Sequence, residues 1–143
     1  MKESRPLFRV IPIAQQQSNN GLALLLTTID ATDRGFSLHM QIIDEQPFAH
    51  PPYPRPFPDL LFNANDEIGT TYTCHGSGGS GGLQQWTLNA HFTPALHPAA
   101  HELSIRVSGF HRQPDEPPAI ALQRQGKLPS HTWNFTIALP GDE

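Results

Sequence analysis

The chain is poor in most of the residues that announce a chemistry. Cys74 is its only cysteine in 143 residues, which excludes an internal disulfide and a cysteine-built zinc site. A lone thiol suits a reducing compartment. Charged side chains make up 15% of the sequence against a typical ~25%, and 9 Lys and Arg within a net charge of -4 offer no basic face to a phosphate backbone. Nucleic acid is therefore not an expected partner. No apolar run approaches the ~18 residues of a membrane span, and Met1-Lys2-Glu3-Ser4-Arg5-Pro6 is not followed by the apolar stretch of a secretory signal. The expectation is a cytoplasmic protein without a membrane partner. Amphipathic helical periodicity is also missing.

What the chain has in quantity is proline, with 15, and glycine, with 11, set between short alternating segments. Phe8 to Ile13 is apolar at 8, 10, 11 and 13 but contains Pro12, which marks an edge strand. Gln15 to Asn20 reads as a polar connection closing on Asn20-Gly21, a pair that tolerates the positive φ of a tight turn. Leu22 to Ile29 is apolar on both faces and ends β-branched, as a covered strand does. The segment 30–35 supplies turn residues, after which Phe36, Leu38, Met40 and Ile42 alternate with Ser37, His39 and Gln41. Leu60 to Ala64, the turn Asn65-Asp66-Glu67-Ile68-Gly69 and Thr70 to Thr73 form a further hairpin. Trp86, Leu88, Ala90 and Phe92 alternate next; Pro94 to His101 reads as a turn or single helical turn. Leu103, Ile105 and Val107, then Trp133, Phe135, Ile137 and Leu139, complete eight strand candidates.

One domain over 1–143 suits this length. Many short strands joined by proline- and glycine-rich turns predict two packed antiparallel sheets, with long loops near 47–58, 74–82 and 111–130. The hairpin Asp66-x-x-Gly69-x-x-Tyr72, preceded by the paired strands at 22–29 and 36–43, resembles the immunoglobulin-like sandwich domains of uncharacterised bacterial proteins, over about residues 8–110. The resemblance implies an immunoglobulin-like β-sandwich used for adhesion or protein contacts, with no catalytic residues to carry over. The paired core cysteines of antibody domains are absent.

Three stretches invite chemistry. Cys74-His75-Gly76-Ser77-Gly78-Gly79-Ser80-Gly81-Gly82 reads as a glycine-rich hairpin loop. It lacks the Lys-Ser/Thr end of a Walker loop, and the residues after it alternate as a strand rather than opening the helix a dinucleotide fingerprint needs. Adjacent Cys74 and His75 point to opposite faces of a strand, so a thiolate-imidazole pair is not expected and Cys74 reads as a buried, inert thiol. Among eight histidines, His97 and His101 are spaced to share a face of a helical turn and could begin a metal site, with His50, His75 or His111 as a third ligand. From Pro47 to Pro58 the chain is stiff and extended, and could present Tyr53, Arg55 and Phe57 to a groove.

The leading expectation is a non-catalytic interaction or assembly module without a cofactor. It would meet a protein partner through Tyr53, Arg55, Phe57, His75, Ser77 and Ser80, or self-associate through an edge strand. The alternatives are a metal binder or metal-dependent enzyme using loop histidines and, less favoured, a small-ligand or glycan binder using Tyr53 and Phe57.

Overall fold

The computed structural model describes residues 9–45, 59–81, 85–110 and 131–140. They form eight strands: β1 (Arg9–Asn19), β2 (Leu22–Ala31), β3 (Phe36–Asp44), β4 (Asp59–Asp66), β5 (Thr71–Gly81), β6 (Gln85–Thr93), β7 (Glu102–Phe110) and β8 (His131–Ala138). There is no helix among the described residues. Each strand overlaps one of the eight segments read as strands from the sequence, though β1 and β5 run well beyond theirs. Asn20 and Gly21 make the expected two-residue turn, with φ of 49° and 82°, closing the Asn19–Leu22 pair.

Neighbouring strands are antiparallel and run in the order β1-β2-β3-β6-β5-β4-β7-β8, one sheet curled nearly into a barrel. The antiparallel all-β expectation holds. Two separate sheets do not describe the pairing, because β5 pairs with β6 along most of its length and with β4 at two residue pairs, which joins all eight strands in one order. A second departure is the glycine-rich stretch, which is a strand to Gly81 rather than a loop: β6 supplies a full ladder, and backbone pairing needs no side chains. Likewise Gln15 to Ser18 continues β1 beyond a register shift between Pro12 and Gln15, where Ala14 has φ of 56°.

Inward-pointing residues of all these strands fill one core. Phe36 stacks on Phe92 at 4.9 Å, Tyr72 meets the edge of Phe36 at 5.3 Å, and Phe62 meets Phe92 at 6.2 Å. Trp133 is fully buried and its indole N–H donates to the Leu22 carbonyl at 3.3 Å, joining β8 to β2 across the interior.

The curl leaves two seams. At the first, β1 meets β8 through side chains: Gln15 Nε2 donates to the Thr136 carbonyl at 3.0 Å, and Gln17 Nε2 donates to the Asn134 carbonyl while its Oε1 accepts the Asn134 N–H at 3.1 Å. A side-chain amide carries the donor and acceptor of a peptide group, so Gln17 serves Asn134 as a strand neighbour would. At the second seam β4 and β5 pair only at Ala64–Tyr72 and Asn65–Thr71, although β4 pairs with β7 along its whole length from Asp59 to Asp66.

Candidate functional site: the slot between β4 and β5

The second seam is closed at one end by the Asp66 hairpin. Oδ1 of Asp66 accepts the N–H groups of Ile68, Gly69 and Thr70 at 3.0, 3.0 and 2.9 Å, and Oδ2 accepts the Tyr72 hydroxyl at 2.7 Å. The Tyr72 oxygen in turn accepts the His97 N–H at 3.0 Å. The Glu67 carboxylate takes the N–H groups of His101 and Glu102 at 2.7 and 3.1 Å, tying the start of β7 to the same turn. Burial would raise the Asp66 carboxyl, but the bonds from Tyr72, Thr70 and Ile68 together outweigh it and hold it below the ordinary carboxylate range. The His101 N–H does the same for Glu67. Burial, and then the bond to the Asp66 carboxylate, push Tyr72 up, so it remains a donor.

Beyond this clasp the strands part. The opening, about 440 Å³, is lined by Leu60 to Asn63 on one side and Thr71 to Ser77 on the other. Among the described residues no strand pairs with these edges, Leu60 to Asn63 of β4 and Thr73 to Gly81 of β5, on their slot side. Each therefore presents a row of backbone donors and acceptors.

Leu60, Phe62 and Ser77 also line a second hollow, of about 170 Å³, whose remaining walls include Ile42, Trp86, Leu88 and Gly79. It exists because of the side chains β5 omits. The register sets Ser77 opposite Ala90, Gly79 opposite Leu88 and Gly81 opposite Trp86, so these three positions face inward and carry almost nothing into the core. A Cβ on Gly79 would stand 2.4 Å from a Leu88 methyl and 2.5 Å from the Thr87 carbonyl oxygen, so only glycine lets the two strands lie this close. Trp86 is left half-buried at the rim.

The residues singled out from sequence are dispersed by this geometry. Ser77 faces the slot, whereas Ser80, opposite Thr87, faces outward. His75 lines the slot at a bulge between Cys74 and Gly76; its ring bonds the Thr93 hydroxyl and lies 6.5 Å from the His91 ring. Cys74 is half-buried rather than buried, and its Sγ donates to the Gly76 carbonyl at 3.6 Å, so the two side chains engage different partners. Burial raises the Cys74 thiol, which keeps it protonated at neutral pH.

His97 and His101 lie in an irregular turn, not a helical one, and serve the Asp66 hairpin through their backbone N–H groups. Among the described residues no three His, Cys, Asp or Glu side chains converge as metal ligands. Tyr53, Arg55 and Phe57, with His50, His111 and the segments 47–58 and 111–130, lie outside the described residues. Sequence reasoning missed the hollow behind Ser77. Its one legible signal is Trp86 alternating inward after a segment with no bulky residue to cover it.

The chain matches no protein-family model and no curated protein. It is similar in structure to a conserved domain protein from Bacillus anthracis known from a crystal structure, with a TM-score of 0.61 and 16% identity. The likeness covers 98% of this chain and 51% of that one, so this chain spans about half the length of its neighbour. At that identity the fold alone is shared.

Proposed function

We propose that this domain is a non-catalytic protein-interaction module which accepts an extended segment of a partner protein as an added strand in the β4–β5 slot. The observation that carries the reading is the arrest of β4–β5 pairing after two residue pairs, which leaves two strand edges facing one opening. Strand addition draws affinity from main-chain hydrogen bonds and specificity from pockets for alternate side chains, and both features occur here. Self-association through an outer edge is disfavoured by the glutamines that occupy the β1–β8 seam. The immunoglobulin-like expectation belongs to this reading: it groups β1, β2, β3, β6 and β5 in one layer and β4, β7 and β8 in another. The slot is then the gap between two layer edges. A reducing, cytoplasmic setting fits the single thiol.

Amide hydrogen exchange tests the reading on the free chain. Alternate amides of Leu60 to Asn63 and of Thr73 to Gly79 should exchange far faster than those of β2 and β3, with native mass spectrometry reporting a monomer. Uniform protection of both edges would mean that the slot is already occupied, and the proposal would fail.

A further inference from the structure

The hollow behind Ser77 assigns a chemistry to the added strand, and the inference rests on the strand-addition reading above. The geometry points to a specificity pocket that takes one apolar side chain, a phenyl or branched aliphatic group, from the strand lying in the slot. Three observations carry it. The pocket and the slot share Leu60, Phe62 and Ser77, so a strand in the slot would have its inward side chains directed toward the pocket. Five of the pocket's nine lining residues, Ile42, Leu60, Phe62, Trp86 and Leu88, are apolar and offer dispersion contacts on several sides, with Asp59 as the one ionisable group. The volume, about 170 Å³, is close to the roughly 150 Å³ of an apolar cavity able to hold benzene.

The register adds a constraint on the partner. Side chains of a strand alternate, so the residues flanking the anchoring one would point outward over the face of Gly76, Gly78 and Ser80. A Cβ built on Gly76 or Gly78 meets nothing within 4 Å, leaving room for either bulky or polar flanking residues. The preferred segment is therefore one fixed apolar residue between two variable ones. The Asp59 carboxylate and Ser77 stand among the pocket walls, so an acidic side chain is disfavoured there.

Selection of a displayed library of random seven-residue peptides on the full chain tests the inference without any variant. The expected result is enrichment of phenylalanine, leucine or isoleucine at one position, with no preference at its neighbours. Ser77→Leu, which places an isobutyl group in the hollow, should weaken an enriched peptide about tenfold or more. Ser80→Leu, on the outward face, should not. Enriched peptides with no fixed apolar position, or undiminished binding to a folded Ser77→Leu protein, would overturn the pocket while sparing strand addition. Failure to enrich any peptide would overturn strand addition and the pocket with it. Enriched sequences reproducing residues 46–58, or a sedimenting dimer, would assign the slot to this chain or a second copy and overturn the partner assignment.

Discussion

The two seams of the barrel solve the same problem in opposite ways. Where β1 meets β8, no backbone ladder forms, yet Gln15 and Gln17 reach across and satisfy the exposed groups of Thr136 and Asn134. Where β4 meets β5, a ladder begins at Asn65–Thr71 beside the Asp66 clasp and stops after Ala64–Tyr72, and beyond Cys74 the inward residues of β5 are serine and glycine. One seam is closed by side chains without a ladder; the other is left open by the lack of side chains. A sheet edge is a hazard when unpaired. The comparison separates an edge that is capped from one held available beside an apolar hollow.

The largest expected effect comes from removing the clasp. Asp66→Ala removes the acceptor of the Ile68 and Thr70 N–H groups and of the Tyr72 hydroxyl, leaves Gly69 only its bond to the residue-66 carbonyl, and should cost about 3 kcal/mol, read as a lowered midpoint in denaturant. If the midpoint held, the clasp would not be what joins the two strands. The same carboxylate sets an acid limit. Its folded value lies below the unfolded one, so its contribution is present above about pH 4 and is lost as pH falls through the folded value. Asp66→Asn should flatten that acid limb in a pH series of thermal melts.

Opening the capped seam should matter next. Gln15→Leu with Gln17→Leu leaves the Asn134 N–H and the Thr136 carbonyl without their partners, at about 2 kcal/mol, and frees an edge for pairing between copies. Sedimentation should show association that the parent lacks; an unchanged monomer would mean that the glutamines do not guard this edge. Smallest, and of opposite sign, is Ser77→Leu. Filling the hollow should stabilise the fold by about 1 kcal/mol in the absence of peptide, seen as a raised melting temperature.

The strands were legible because most carry their burial as alternation: Leu38, Met40 and Ile42, or Leu103, Ile105 and Val107, announce the inward face directly. The Asn20-Gly21 turn was legible because positive φ selects those residues. The second half of β5 was not. Its pairing is imposed by β6 through the backbone, and six of its last seven residues to Gly81 are glycine or serine, which reads as a loop. Gln15 and Gln17 looked like a polar linker since their partners lie 121 and 117 residues away. The candidate site was half visible: Ser77 was named, but for a loop, and the hollow behind it depends on which strands become neighbours. That order follows from packing across the whole chain, not from any local pattern.

The glutamine seam also decides where the polypeptide can be cut and rejoined. Gln15 lies beside Thr136 and Gln17 beside Asn134, so β1 and β8 are antiparallel, and continuing that register brings Ala138 level with about Ile13. The ends of the barrel thus emerge side by side. A circular permutant joining residue 140 to Arg9 through a short linker, and opened in the four-residue turn Thr32 to Gly35, would preserve every strand pairing described. The same adjacency would let the domain be spliced into a surface loop of a host protein without stretching either.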